Sequence, residues 1–233
     1  MGCDRRIARK MSRILDQRVT KTPEHQLVYQ RLREMILFGD LAPGQPVTIL
    51  GLIDQLGAGM TPVREALRRL TAEGALQHQG NRRVVVPDLD KDTLAELGFA
   101  RLALEPELAR LACNHLSDTD IEELTRCDET LNQSIARGDV SGYLQGNHSF
   151  HMTLYTLAKA PLLLSLAQTL WLRGGPSLRV VCGRWGTMQL VDRHEEALVA
   201  MRARDSAALG RAIADDIQQG IDLVDMSLRI PEI

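Results

Sequence analysis

The chain has 233 residues and a net charge of −2, and it is 44% hydrophobic but only 3% aromatic. These values exclude an intrinsically disordered chain, a collagen-like fibre and a small disulfide-stapled scaffold. The length allows one large domain or two modest ones. Because strand-rich proteins favour β-branched and aromatic residues, the scarcity of aromatics indicates a mainly α fold.

Basic residues are concentrated in the first part of the chain. Residues 1–90 hold 14 Lys or Arg against 10 Asp or Glu, whereas the remainder has an acidic excess. This asymmetry indicates two domains, the first of which is able to meet a polyanion. Residues 1–22 are basic with little apolar periodicity. We interpret them as a flexible arm that either contacts phosphates or acts as a solubilising tail.

Three helices and a hairpin are predicted between residues 23 and 88. The first helix ends at Gly39, the second spans residues 49–56, and the third opens at Thr61 and Pro62. Two short strands follow, over residues 75–79 and 82–86, joined by a Gly-Asn pair suited to a tight hairpin. This order is the plan of a winged helix-turn-helix, in which the third helix enters the major groove of DNA.

The third helix also carries a family resemblance. Residues 61–70 read T-P-V-R-E-A-L-R-R-L, which resembles the recognition segment of GntR-family bacterial transcription regulators. Where that family usually has Arg before this segment, the chain has Met60, so the operator sequence of relatives is not expected to apply. The resemblance and the charge of the wing imply DNA contacts by the following residues: Thr61, Arg64, Arg68, Arg69, Gly80, Asn81, Arg82 and Arg83.

From residue 92 to residue 230 the chain shows only helical periodicity, and six or seven antiparallel helices are predicted. Pro106 lies inside the first of these helices, so we expect a kink or a restart after Glu105. The run Gly174-Gly175-Pro176 is expected to break the fourth helix. Together the helices predict an all-helical bundle with a core large enough to hold a ligand.

Three segments of this bundle resemble the FCD effector domain of the FadR-like branch of the GntR family. They are the R-L-A-L-E run at 101–105, the F-H pair at 150–151 and the run at 194–200. Many such domains bind a divalent metal through an Asp, a His four residues later and two further histidines. The resemblance places these ligands at Asn147, His151, His194 and Asp216, with Asn in place of the usual Asp and Asp in place of a usual His.

The exchanged ligand types do not forbid a metal. Positions 147 and 151 are one helical turn apart, and an amide oxygen, two imidazoles and a carboxylate can hold Zn²⁺, Ni²⁺ or Mn²⁺. The alternative is a polar pocket without metal, in which both histidines form hydrogen bonds. His148 lies around the helix from Asn147 and is expected at the rim or on the surface.

A small organic acid is the expected effector. Arg101 can pair with a ligand carboxylate, and relatives carry Arg at this position. The alternative is an internal ion pair with Glu105 or Asp216. The candidate effector-binding residues are Arg101, His151, His194 and Arg173.

The cysteine spacing and the search for targeting signals indicate where in the cell the protein is expected. The four cysteines form no C-x-x-C pair, so reduced thiols are expected. The chain starts without the apolar stretch of a signal peptide, and its longest nearly apolar run, residues 161–172, is too short to span a bilayer. We expect a cytoplasmic protein with no membrane segment.

The leading hypothesis is a ligand-responsive bacterial transcription regulator that binds a palindromic operator as a homodimer. We expect a repressor rather than an activator. The first alternative is a metal-free regulator that binds an acyl thioester or another metabolite. A distant alternative is a metal-dependent enzyme with a DNA-targeting domain. The chain lacks H-E-x-x-H, a recognisable nucleophile motif and a phosphate-binding glycine loop, so we do not expect an enzyme.

Overall fold

The computed structural model describes residues 22–80, 83–185 and 193–229, with the side chains of 183–185 left out of the description. The basic arm, Asn81 and Arg82 therefore lie outside the described residues. Within the described part, the fold is mainly α, as predicted, with one small sheet. No helix in this part is long and apolar enough to cross a membrane.

The first unit contains three helices and three short strands. Helices α1 (Glu24–Leu37), α2 (Ile49–Leu56) and α3 (Met60–Ala72) pack around a common core. Thr48 caps α2 by accepting a hydrogen bond from the Gly51 N–H. The strands are β1 (Pro46–Val47), β2 (Gln77–Gln79) and β3 (Arg83–Val85), in the antiparallel order β1-β3-β2.

The hairpin of β2 and β3 forms the predicted wing, and Gly80 at its turn has a φ of 64°, in the left-handed region that glycine adopts readily. Strand β1 was not predicted. It is only two residues long and contains Pro46, which has no N–H for a ladder, so sequence periodicity could not reveal it.

Six helices follow in the described residues, α4 (Lys91–Cys113), α5 (Asp118–Arg137), α6 (Val140–Thr156), α7 (Pro161–Trp185), α8 (Arg193–Arg202) and α9 (Ser206–Arg229). Helix α9 packs along α4, and α6 packs against α5. Their inner faces form the largest apolar core of the molecule.

Helix α4 continues through Pro106 without a restart, which was one of the two expected outcomes there. Helix α7 continues through Gly174, Gly175 and Pro176, where a break was expected. Pro106 is buried together with Glu105 and Leu108, so tertiary packing holds the helix despite the lost N–H. Gly175 does not end the helix. Its missing side chain leaves space for α1, because a Cβ there would lie 2.3 Å from the Leu37 carbonyl oxygen. The glycine lets α7 approach the end of α1 closely.

Replacement of Gly175 by Ala is expected to lower the free energy of unfolding by about 1–3 kcal/mol, because backbone atoms of α1 must shift. The matched control is Gly220→Ala in α9, where an added Cβ meets nothing within 4 Å. That control is expected to gain about 0.5–1 kcal/mol, the usual advantage of Ala over Gly in a helix. Urea unfolding monitored by circular dichroism measures both changes, and equal effects of the two substitutions would contradict the close approach.

The first unit does not enclose its core alone. Trp171 and Leu172 of α7 belong to the same apolar cluster as Leu32, Ile36 and Leu70. The bundle therefore contributes side chains to the core beneath the winged helix.

Candidate functional site

Three potential metal ligands from three helices meet inside the bundle. His151 of α6, His194 of α8 and Asp216 of α9 each offer a ligand atom, and these atoms lie within 4.8 Å of one another. Both histidines are buried. The Nε2 atom of His151 is 3.0 Å from Oδ2 of Asp216. The structure thus brings together three of the four predicted ligands.

A chain of hydrogen bonds indicates which nitrogen of His151 carries the proton. The Tyr155 hydroxyl donates to Glu105 at 2.8 Å, so its oxygen accepts from Nδ1 of His151 at 3.0 Å. When His151 carries only this proton, Nε2 presents its lone pair toward the Asp216 carboxylate. This nitrogen is buried, and it forms no hydrogen bond of acceptable geometry with a described residue. Two electron-rich atoms at this distance are arranged to share a cation.

His194 is oriented in a comparable way. Its Nδ1 is 3.0 Å from Oδ1 of Asp128 on α5, and both side chains are buried. Its ring also stacks on Phe150, with 3.9 Å between ring centroids. A carboxylate that accepts the Nδ1 proton of a histidine fixes the ring and makes Nε2 the basic nitrogen, which is a common arrangement behind metal ligands.

Asp216 is held in its charged form. Burial acts to raise the pKa of this carboxyl, but the positive charges of His151 and His194 in their protonated forms, together with that of Arg101, outweigh that effect and lower the pKa to about 2. At neutral pH the cluster therefore contains one carboxylate directed at two imidazoles.

A small cavity lies beside Asn147, and its lining includes none of His151, His194 and Asp216, so the two histidines predicted to bind an effector do not face it. It measures about 40 Å³, which is room for a few water molecules. Among the described residues, the polar side chains in its lining are Arg101, Asn147 and His148. Asn147, the fourth predicted ligand, is buried one helical turn before His151 and lines this cavity.

Arg101 forms the internal ion pair that was one of its two predicted roles. Its Nε is 2.6 Å from Glu105, and its guanidinium lies 4.6 Å from the ring centroid of Trp171. Burial acts to lower the pKa of Arg101, but Glu105 raises it further, so the net shift is upward. Arg101 nevertheless lines the cavity, so the ion pair and the ligand-facing position coexist.

One further predicted placement, that of Arg173, differs from the structure. His148, expected at the rim or on the surface, is partly buried and lines the cavity, with its ring edge-on to Phe38 and Trp171 and its Nε2 atom buried. Burial, followed by the effects of Arg33 and His151, lowers its pKa to about 4. Arg173 was expected in the effector site. It is exposed beside Gly74 of the first unit and does not line the cavity, because it leaves α7 on the face turned toward that unit.

Sequence reasoning named Glu105 as a partner of Arg101 but missed three residues that support the site: Asp128, Tyr155 and Trp171. Trp171 donates its ring N–H to Glu105 at 2.8 Å. Tyr155 had a detectable signal, since it follows the predicted ligand His151 by four positions on the same helix face.

The predicted DNA-contacting residues fall on α3 and the wing. Thr61, Arg64 and Arg68 are exposed on α3, and Arg83 is exposed on β3. Arg68 forms an exposed ion pair with Glu65 at 2.6 Å, an interaction that contributes little to stability and is easily exchanged. Met60, which stands where the family usually has Arg, is 46% exposed at the start of α3.

Arg69 differs from the other predicted DNA contacts. Its Nε is 2.9 Å from Glu73, and its guanidinium lies 3.7 Å from the ring centroid of Tyr29 on α1. The hydroxyl of Tyr29 donates to the same Glu73. Arg69 therefore joins α3 to α1, although its side chain stays 56% exposed.

Comparisons with known proteins agree with both parts of the fold. Residues 25–86 match the family described as bacterial regulatory proteins, gntR family, and residues 96–219 match the FCD domain. The chain is 30% identical over 196 residues to the HTH-type transcriptional regulator McbR of Escherichia coli (strain K12), covering 83% of this chain and 89% of that protein. It is 33% identical over 150 residues to the probable D-xylose utilization operon transcriptional repressor of Paenarthrobacter nicotinovorans, covering 63% and 65%.

A solved structure extends the likeness to three dimensions. The structure of E. coli McbR/YncC superposes with a TM-score of 0.84 and 28% identity, covering 89% of this chain and 99% of that one. The matched families and relatives are regulators of transcription rather than enzymes. The chain therefore belongs to the GntR family of bacterial regulatory proteins and carries an FCD domain behind its winged helix.

Proposed function

We propose that the protein is a homodimeric repressor that binds a palindromic operator and responds to a small organic acid bound beside a divalent metal. DNA is its target, so its action belongs in the cytoplasm. The name of the Paenarthrobacter relative as a repressor supports the sign of the response. The proposed domains are a basic arm at 1–22, a DNA-binding domain at 23–88 and an effector domain at 92–230.

The observation that carries this proposal is the contact between His151 Nε2 and Asp216 Oδ2. A buried imidazole nitrogen that faces a carboxylate at 3.0 Å calls for a shared proton or a metal cation, and the convergence of three ligand atoms within 4.8 Å of one another favours the metal. His151, His194 and Asp216 would hold Zn²⁺, Ni²⁺ or Mn²⁺, with the amide oxygen of Asn147 as the fourth ligand. A bound metal would supply a positive centre that attracts the carboxylate of an effector.

The cavity favours a small effector. Pockets that bury drug-sized ligands have volumes of about 300–1,000 Å³, far more than the 40 Å³ found beside Arg101. A short organic acid requires a modest opening, whereas an acyl thioester requires a much larger one. Arg101 would meet the acid, because the Nη1 group of a guanidinium whose Nε and Nη2 engage Glu105 can still donate to a carboxylate.

We propose that Thr61, Arg64, Arg68, Gly80, Asn81, Arg82 and Arg83 form the DNA contacts. The effector would act by favouring one arrangement of the two DNA-binding domains in the dimer. To change operator affinity, it must bind one arrangement more tightly than the other, typically by about 1–3 kcal/mol.

Replacement of Arg64 by Ala is expected to weaken operator binding by about 1–3 kcal/mol, the value of one base contact. The operator would first be selected from random duplex DNA with the wild-type chain. Affinities would then be measured by fluorescence anisotropy at several salt concentrations. The control is Arg211→Ala, an exposed arginine of α9 far along the chain from the winged helix.

The salt series adds a second readout. Wild-type affinity should fall steeply as salt rises, since phosphate contacts release counterions. An affinity that is insensitive to salt, or equal for the Arg64 and Arg211 variants, would refute the assignment of α3 as the recognition helix.

A further inference from the structure

Met60 is an exposed apolar side chain at the start of the proposed recognition helix. It is the first residue of α3, it is 46% exposed, and it is not among the residues of the apolar core of the winged helix. A single exposed methionine on a helix is ordinary and needs no function. What distinguishes Met60 is its position relative to the arginines of α3.

Met60 shares one side of α3 with two arginines that are expected to contact DNA. Positions 60, 64 and 68 are spaced by four residues, so Met60, Arg64 and Arg68 form one row along the helix. All three side chains are exposed. The buried face of the helix consists of Val63, Ala66, Leu67 and Leu70. A duplex that contacts Arg64 is therefore within reach of Met60.

The backbone at the start of α3 is held in place. Oε1 of Glu24, at the beginning of α1, accepts a hydrogen bond from the Gly59 N–H at 3.3 Å. Pro62, two residues after Met60, fixes its own φ and stiffens the first turn of the helix. The position of the Met60 side chain relative to Arg64 is therefore defined by the fold.

The chemistry of a thioether restricts the base that Met60 can recognise. The sulfur is a weak acceptor, and the side chain has no donor, so it cannot read the hydrogen-bonding edge of a base well. Among the four bases, thymine alone presents an apolar group in the major groove, its C5 methyl. An exposed apolar side chain in the same row as Arg64 therefore fits thymine better than any other base.

The spacing along α3 gives the approximate position of this thymine. Four residues of an α-helix rise about 6 Å, and successive base pairs are about 3.4 Å apart. If α3 runs along the groove, Met60 and Arg64 contact bases about two base pairs apart.

We propose that Met60 contacts the C5 methyl group of one thymine in each half-site of the operator and so determines the base at that position. The proposal rests on the proposed function, since it assumes that α3 enters the major groove of a palindromic operator. It adds a specificity-determining residue that reads a base by apolar contact, beside the hydrogen bonds expected of Arg64.

The test uses the operator selected from random duplex DNA with the wild-type chain. Each thymine of the half-site is replaced in turn by uracil, which differs from thymine only in lacking the C5 methyl group. Fluorescence anisotropy then compares the full-length wild type with Met60→Ala, which keeps a strong helix former at the start of α3. The position read by Arg64 is the one at which Arg64→Ala loses its base preference.

The matched control is Leu27→Ala. Leu27 is 49% exposed, close to the exposure of Met60, but it lies on α1 and lines a groove together with Gln145 and Ser149 of the bundle. Removal of this side chain takes away a similar exposed apolar group without touching α3.

The wild type and Leu27→Ala are expected to lose about fourfold in affinity for each half-site in which the critical thymine becomes uracil, since burial of one methyl group is worth about that factor. Met60→Ala should bind the thymine and uracil duplexes equally well. Because the ratio compares two duplexes on one variant, a general loss of stability cancels from it.

Two results would overturn the role of Met60 while leaving operator binding intact. One is a uracil penalty that persists in Met60→Ala, and the other is a half-site in which no thymine methyl group affects the affinity of the wild type. A selection that yields no preferred duplex would overturn the proposed operator binding as well.

Discussion

Replacement of Glu105 by Ala is expected to lower the free energy of unfolding by about 3–5 kcal/mol, the cost of leaving a buried charge without its partner. Glu105 is fully buried. It accepts hydrogen bonds from the Tyr155 hydroxyl and the Trp171 ring N–H, both at 2.8 Å, and it pairs with Arg101 at 2.6 Å. The substitution strands the Arg101 guanidinium and two neutral donors in the interior.

The control for this prediction lies two residues further along α4. Glu107 forms an exposed pair with Arg110 at 3.2 Å, and Glu107→Ala should change stability by less than about 1 kcal/mol. Urea unfolding of both variants, with the dependence on urea checked for two-state behaviour, measures the difference. If Glu105→Ala is as stable as Glu107→Ala, the Glu105 network contributes nothing that solvent does not replace.

Replacement of His151 by Ala should reduce bound zinc from about one ion per chain to almost none, with a loss of affinity greater than about a hundredfold. The expectation follows because removal of a residue behind a metal ligand already costs about 10–100-fold. Asp128→Asn tests that weaker effect, since Asp128 orients His194 at 3.0 Å without being a predicted ligand. Elemental analysis of untagged protein and competition with a chromophoric chelator at neutral pH measure stoichiometry and affinity.

His115→Ala, at an exposed site, is the matched control and should bind zinc as the wild type does. A wild-type chain that takes up no Zn²⁺, Ni²⁺ or Mn²⁺ would reject the proposed metal site. Unchanged zinc binding in the His151 variant would instead move the metal to other ligands. The two results separate a missing metal from a misassigned one.

The winged helix was the most predictable part of the fold. The segment at 61–70 and the turn residues around it indicated α2 and α3 within one residue, because their caps and apolar stripes are local features. The same local reasoning wrongly predicted a break in α7 at Gly175, and at Pro106 it allowed a restart that α4 does not show. Packing against other elements keeps both helices continuous, and that packing has no local signature.

The candidate site was likewise predictable in part from the sequence. The four ligand positions came from a family resemblance, and three of them meet in the structure. Asp128, which orients His194, did not emerge because it lies 66 residues away, and the contacts of Tyr155 and Trp171 with Glu105 span 50 and 66 residues. A single sequence gives no means of pairing side chains across such separations. The contact of His148 with Phe38 was not predicted for a related reason, since Phe38 belongs to the other domain.

The contribution of Trp171 and Leu172 to the core beneath the winged helix has a consequence for recombination between relatives. A crossover near residue 88 would appear to exchange a complete DNA-binding module, yet it would separate that module from two of the side chains that fill its interior. Viable chimeras should therefore inherit α7 together with the winged helix, or acquire compensating changes along the seam. The two halves of such a regulator would diversify as a matched pair, with new operators and new effectors arising under a shared packing constraint.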